Sequence, residues 1–241
     1  MRSDLRLGRY LGTAFLVVWA GSIFSGALSA SVFSDNTSET LENIAANSAQ
    51  MRWSTMIELC VTSAGIVVLA TLLYTAVREE NPLWSRVALG WWLAEAVTLA
   101  VSTIGAFLLI PLSERYAAAD GVASPDLLAL GDTLQSFDRQ MWEIHMVFYG
   151  LGGLVFYSLL FRARSVPRWL SGFGVGAAAV GLFSSVLFLA ADVDWFFLGF
   201  PAGLFELMIG IWLIVKGISR TDVEVVSPAP SIPRVEHLAG G

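Results

Sequence analysis

The chain has 241 residues, of which 56% are hydrophobic and 14% are charged, and its mean hydropathy is +0.67. These values exclude an ordinary soluble domain, in which about a quarter of the residues are charged. The net charge of −6 is accompanied by no basic cluster with interleaved aromatic residues, which excludes a nucleic-acid-binding surface.

Six apolar runs are long enough to cross about 30 Å of hydrocarbon as helices of roughly 20 residues. A backbone in lipid must satisfy its own hydrogen bonds, so such runs form helices, and they lack the alternation of a membrane barrel. The predicted spans are residues 10–33, 55–77, 87–112, 141–161, 169–191 and 195–215. The predicted fold class is therefore all-α, a polytopic membrane bundle with six transmembrane helices.

The first apolar run follows Arg2, Arg6 and Arg9, as the core of a secretory signal would. It extends over about 24 residues, however, which is longer than the 7–15 residues of a signal core. We interpret it as a retained first helix.

Two segments on the outer side are predicted to be short amphipathic surface helices. Residues 36–50 place Leu41 and Ile44 on one helical face, and residues 124–139 space Leu127, Leu130 and Leu134 at helical intervals. Each segment either anchors the span that follows it or forms a lid over an outward-facing cavity.

The distribution of Lys and Arg predicts that both termini are cytoplasmic, because basic residues concentrate on the inner side of membrane proteins. In this orientation ten of the basic residues up to Arg220 lie inside and three lie outside. The inner ten are Arg2, Arg6, Arg9, Arg78, Arg86, Arg162, Arg164, Arg168, Lys216 and Arg220, and the outer three are Arg52, Arg115 and Arg139.

The chain divides into a transmembrane domain, residues 1–218, and a cytoplasmic tail, residues 219–241. The tail contains Pro228, Pro230 and Pro233 within seven residues and has little apolar content. We expect it to be disordered, because it cannot bury enough apolar surface to fold.

Four identities at a constant offset of 85 positions are explained either by a duplicated helical hairpin or by chance in so biased a composition. The matching pairs are Glu58 with Glu143, Gly65 with Gly150, Pro82 with Pro167 and Trp84 with Trp169. Repeats of this kind occur in transporters, whose sites form at the repeat interface.

The closing sequence, Phe205-Glu206-Leu207 followed by Trp212-Leu213-Ile214-Val215-Lys216-Gly217, resembles the end of a known bacterial family. This six-helix membrane family is called domain of unknown function 4386. Similar segments are Leu11–Phe15, Ile23–Gly26, Leu93–Val97 and Pro167–Leu170. The resemblance covers roughly residues 8–218 and implies a six-span fold in a bacterial plasma membrane, with no activity attached.

Five ionisable residues fall inside the predicted spans, namely Glu58, Glu95, Glu143, His145 and Glu206. A charged side chain at the centre of a membrane helix costs about 2.5–3.5 kcal/mol, so each is a candidate for ligand or proton binding. At 1.5 Å per residue, Glu95 and Glu206 lie closest to the midplane and the other three lie in the outer third. If the two midplane carboxylates face one another, a proton or a cation must lie between them.

The residue pattern leaves three functions open. The favoured one is the binding or carrying of a proton, a cation or a small ligand at a buried acidic site open to the outer side. A carboxylate-rich intramembrane metalloenzyme is an alternative, which the sequence favours less. Its metal ligands would be Glu95, Glu206, Glu143 and His145.

The third function is that of an accessory or assembly subunit in which the acids only join helices. A row of small residues in the fifth span is explained by close helix packing, but as a lipid-facing row it would favour contact with a second copy or another membrane protein. The row consists of Gly174, Ala178, Gly181 and Ser185. The other predicted partners of the chain are the bilayer itself and a small cation or an apolar ligand.

Several cofactors are excluded by the sequence. The single cysteine, Cys60, cannot form an intrachain disulfide, and a single histidine within the spans, His145, cannot supply two axial ligands to haem. The glycines around Gly174 do not form a nucleotide loop, because no strand precedes them and no Lys-Ser pair follows.

Overall fold

The structure, a computed structural model, describes residues 2–119, 125–193 and 195–220. Within these residues, six helices are long and apolar enough to cross a membrane. Four are single α-helices, α1 (Leu5–Ala30), α5 (Pro82–Ala118), α6 (Pro125–Ala163) and α7 (Arg168–Ala191). The second span joins α3 (Ser48–Ile57), a π-helical segment (Glu58–Ser63) and α4 (Ala64–Val77), and the sixth joins a 3₁₀ turn (Phe196–Gly199) to α8 (Phe200–Lys216). The prediction of an all-α bundle with six transmembrane helices is confirmed, and the chain is a multi-pass membrane protein.

Helices α5 and α6 are much longer than the bilayer requires. They contain 37 and 39 residues, which correspond to about 55 Å and 58 Å at 1.5 Å per residue, against about 30 Å of hydrocarbon. The start of α5 is defined by Asn81, whose side chain accepts a hydrogen bond from the Trp84 amide, and by Pro82 at the first helical turn. The opposite end of α5 and the beginning of α6 therefore extend beyond the membrane together.

The first amphipathic segment forms a separate helix, α2 (Thr37–Ala46), and its apolar face packs on the extended end of α5. Leu41 and Ile44 are fully buried there, beside Leu109 and Ile110. The second segment is also helical, but it continues without a break into the fourth span as the first part of α6. No Gly or Pro interrupts the chain between Asp132 and Met141, so nothing ends the helix at the membrane surface.

Helix α1 packs against both the second span and α8, and glycines bring the backbones of α1 and α8 into close contact. A Cβ atom at Gly12 would lie 2.6 Å from the Gly210 carbonyl oxygen, and one at Gly8 would lie 2.5 Å from the Gly217 Cα. Gly217 ends α8 with a φ of +73°, which an L side chain rarely adopts. Strands β1 (Arg2–Asp4) and β2 (Ile218–Arg220) then pair antiparallel and close the bundle at the ends of α1 and α8.

The small residues of the fifth span do not face the lipid, contrary to their interpretation as a contact surface for a partner. All four members of the row are buried within the chain. Gly150 of α6 packs against Ala178 and Leu182, and Gly174 packs against the Phe205 ring, at 2.5 Å from where a Cβ would lie. Small side chains allow close helix packing, and here the partners of α7 are α6 and α8 of the same chain.

Residues 221–241 of the predicted cytoplasmic tail lie outside the described residues, and its first two residues, Ser219 and Arg220, belong to β2. The division into a transmembrane domain and a disordered tail therefore stays a prediction.

Candidate functional site

The structure brings Glu95 of α5 and Glu206 of α8 within electrostatic range of each other in the bundle interior. Glu95 is only 4% exposed, and Glu206 is half-buried. Two carboxyl groups from different helices thus share one interior region. Two carboxyl groups at short range in a low dielectric cannot both stay ionised unless a positive charge compensates them.

Two tyrosines of α6 complete this group. The Tyr149 hydroxyl lies near the Glu206 carboxyl and the Tyr157 hydroxyl without the geometry of a hydrogen bond to either, and both tyrosines lie in the electrostatic range of Glu95 and Glu206. The exposed fractions of Tyr149 and Tyr157 are 6% and 0%. We call Glu95, Glu206, Tyr149 and Tyr157 the midplane cluster.

Two packed aromatic side chains, Trp92 and Phe205, hold the tyrosines in place, and we call them the aromatic wall. The Trp92 indole lies nearly parallel to the Tyr149 ring, at 6.1 Å between centroids, and its Nε1 donates a hydrogen bond of 3.1 Å to the Tyr149 carbonyl oxygen. The Phe205 ring lies 4.4 Å from the Tyr157 ring. Gly152 allows the indole to fit, because a Cβ there would lie 2.2 Å from Trp92 Cδ1.

Three polar atoms of the midplane cluster have no hydrogen-bond partner among the described residues. They are Glu95 Oε2, the Tyr149 hydroxyl and the Tyr157 hydroxyl. A buried polar group without a partner costs about 1–3 kcal/mol, and several of them close together mark a site where another group can bind.

Glu58 belongs to a different group, at the level of the π-helical segment. One of its carboxylate oxygens accepts a hydrogen bond from the Ser25 hydroxyl of α1, and the Asp138 carboxylate of α6 acts on it electrostatically. Its other oxygen, Oε1, and Thr62 Oγ1 are buried and have no partner in the described part of the chain. Glu58, Glu143 and His145 were all predicted in the outer third of the membrane, but the described contacts connect Glu58 to neither of the other two.

His145 and Glu143 join neither group in the contacts that the structure describes. The His145 ring packs on Trp142, at 4.5 Å between centroids, and its Nδ1 atom lacks a hydrogen-bond partner among the described residues. Glu143 is half-buried on a different face of α6. Over residues 2–119, 125–193 and 195–220, no three His, Cys, Asp or Glu side chains come together in a group that could hold a metal ion.

Two adjoining cavities, of about 800 Å³ and 720 Å³, open at the end of the bundle that lies away from β1 and β2. They lie where α2, the extended part of α6 and the ends of α1 and α7 approach one another. Acidic residues dominate their charged lining, which consists of Asp35, Glu39, Asp132, Asp138 and Asp192 with Arg139 as the basic member. The Asp138 side chain links the second cavity to Glu58.

Sequence reasoning missed Tyr149, Tyr157, Ser25 and Asp138. A signal for Tyr149 was present, because it lies eight residues, about 12 Å, inside the predicted start of its span. Tyrosine in membrane helices normally lies at the interface, so this depth indicates an interior role. Ser25 and Asp138 gave no such signal, since a serine in a span and an acid at its edge are both common.

A family model described as Domain of unknown function (DUF4386) matches residues 10–217. No curated protein and no solved structure matches the chain.

Proposed function

We propose that this chain, which belongs to the DUF4386 family, binds a proton or a single small cation at Glu95 and Glu206. The hydroxyls of Tyr149 and Tyr157 would be the remaining members of the site. The observation that carries the proposal is the set of unpartnered atoms, Glu95 Oε2 and the two hydroxyls, all buried beside a second carboxyl group.

A proton or a cation supplies what this group lacks. Two ionised carboxylates cannot share a low-dielectric region, whereas one proton or one cation between them removes the repulsion and satisfies their oxygens. The tyrosine hydroxyls can donate to the carboxylates or offer their lone pairs to a cation. A purely structural role would instead require complete hydrogen bonding, which these three atoms do not have.

The packing of the aromatic rings limits the size of the occupant. Trp92, Phe156 and Tyr157 are at most 1% exposed, and the Trp92 and Phe156 rings meet at 5.0 Å. Such contacts leave room for a proton, a bare cation or a water molecule, and not for an organic substrate, unless the helices separate.

The positive-inside bias supports an orientation with both termini in the cytoplasm. The two acidic cavities would then face the outer side of a bacterial plasma membrane. Their excess of carboxylates would attract cations toward the protein.

The test is infrared spectroscopy of the purified protein in lipid, in which a protonated carboxylic acid has its own C=O stretching band. In the native protein, titration with alkali should abolish a carboxylic acid band because the proton leaves. A separate titration with NaCl or KCl should abolish the band because the cation replaces the proton. Glu206→Gln and Glu95→Gln should each remove that band, while Glu42→Gln, on the exposed face of α2, should retain it.

A band that survives in both Glu95→Gln and Glu206→Gln would overturn the proposal. So would a native protein in which neither alkali nor either salt changes the carboxyl bands. A response to alkali alone identifies the occupant as a proton, and a response to salt at constant pH identifies it as a cation.

A further inference from the structure

The π-helical segment of the second span carries a polar group that is separate from the midplane cluster. Glu58 begins this segment, and Thr62 follows it four residues later. Both face α1, because Ser25 donates to the Glu58 carboxylate and a Cβ at Gly21 would lie 2.9 Å from Thr62 Oγ1. Gly21 and Ser25 are one turn apart on the same face of α1.

The wider turn of a π-helix aims successive side chains at two neighbours here. Ser63 points toward α5, where its hydroxyl donates a hydrogen bond of 2.8 Å to the Ala96 carbonyl oxygen. Glu58 and Thr62 point toward α1 instead. Single π-helical turns occur frequently at functional sites, because the extra residue displaces side chains from the ordinary helical faces.

Two oxygen atoms in this group need a partner. Glu58 Oε1 and Thr62 Oγ1 are buried without a hydrogen bond among the described residues, and Thr62 as a whole is 2% exposed. A proton on Glu58 would satisfy the carboxyl and leave the threonine hydroxyl unpaired. A cation would accept lone pairs from both.

The group is accessible from the end of the bundle. Ser29 lines the second cavity, and Ser25 lies one turn deeper on the same face of α1. Asp138 lines the same cavity and acts electrostatically on Glu58. An ion that enters the cavity therefore meets Asp138 first and Glu58 below it.

We propose that Glu58 and Asp138, with the hydroxyls of Ser25 and Thr62, form a binding site for a hard cation at the base of the second cavity. All four side chains offer oxygen atoms, which are the ligands that Na⁺, Mg²⁺ and Ca²⁺ prefer. Two carboxylates balance the charge of a divalent ion, and among these ions Ca²⁺ best tolerates an irregular set of oxygen ligands completed by water. This proposal does not depend on the midplane cluster.

The experiment measures the unfolding temperature of the purified, chelator-treated protein in detergent by its tryptophan fluorescence. CaCl₂, MgCl₂ and NaCl are titrated separately, with choline chloride holding the ionic strength constant. A saturable increase is expected, of roughly 5–10 °C when the free ion reaches a hundred times its Kd. Calcium should act at the lowest concentration.

Two variants assign the increase to this site. Glu58→Gln should abolish it, and Thr62→Val should raise the ion concentration for half the effect at least tenfold. Thr62→Val should fold normally, because the hydroxyl it removes has no partner among the described residues. Glu42→Gln makes the same charge change on an exposed position of α2 and should leave the response unaltered.

The proposal fails if none of the three ions produces a saturable increase in the native protein. It fails equally if Glu58→Gln and Thr62→Val both respond as the native protein does. A response lost in Glu206→Gln and kept in Glu58→Gln would place the ion at the midplane cluster and overturn this second site alone.

Discussion

Replacing Gly152 with alanine tests whether the aromatic wall positions the midplane cluster. The new Cβ would lie 2.2 Å from Trp92 Cδ1 and 2.6 Å from its Nε1. The indole cannot move aside easily, because it is 1% exposed and packs against Tyr149, Phe156 and Tyr157. Gly152→Ala must therefore displace α5 relative to α6 or force the indole out of its position.

The expected loss of stability has two parts. Overpacking in a tight core costs about 1–3 kcal/mol, and loss of the hydrogen bond from Trp92 Nε1 to the Tyr149 carbonyl oxygen adds about 1 kcal/mol. Together they predict a decrease of about 2–4 kcal/mol in the free energy of unfolding. The alanine should also move the Tyr149 hydroxyl and so alter the carboxyl infrared band.

The measurement is a denaturant titration in mixed micelles, followed by circular dichroism. Gly176→Ala is the matched control, because a Cβ at that exposed position of α7 meets nothing within 4 Å. It should leave stability equal or slightly higher, since alanine favours helix over glycine. If the free energy of unfolding of Gly152→Ala lies within about 0.5 kcal/mol of the native value, the indole does not need its present position and the reasoning is refuted.

Two further predictions concern topology and helix packing. In a Cys60→Ser background, Glu39→Cys should react with an impermeant thiol reagent added outside the cell, and Glu80→Cys should not. Both positions are exposed. The reverse result would invert the predicted orientation. Gly12→Ala should separate α1 from α8 and destabilise the protein by about 1–3 kcal/mol, because its Cβ would meet the backbone at 2.6 Å. Gly26→Ala, on the same helix with nothing within 4 Å, should change the unfolding free energy little, and equal effects of the two would contradict the close contact.

The number and type of spanning helices could be predicted because the bilayer imposes length and hydrophobicity on each of them. The position of α2 also followed from the sequence, since Leu41 and Ile44 define a narrow apolar face that must be buried. Continuity of the second amphipathic segment with α6 was not predicted, since the segment was expected to be a separate short helix, although no Gly or Pro ends the helix before Met141. The π-helical segment at Glu58 has no such pattern.

The candidate site was predicted only in part. Depth along the chain identified Glu95 and Glu206, because an acid at the midplane is costly wherever it faces. Which helices meet is decided by packing, and composition does not specify it. Small residues in α7 illustrate this limit: Gly174 and Gly181 are buried against other helices of the same chain, whereas Gly172 and Gly176 are exposed. Tyr149 and Tyr157 were missed because tyrosine contributes to an apolar run and carries its polar atom at the tip.

The pairing of the first span with the sixth constrains how the protein is made. Helix α1 is synthesised before the other five spans, but α8, against which it packs closely, is the sixth span to leave the ribosome. Until then Gly8 and Gly12 present an unfilled groove to lipid or to other membrane proteins. A nascent chain that stops before α8 therefore exposes a recognisable surface to chaperones and membrane proteases. The contact between β1 and β2 can form only after α8 has been synthesised, so closure of the bundle reports that all six spans have been inserted.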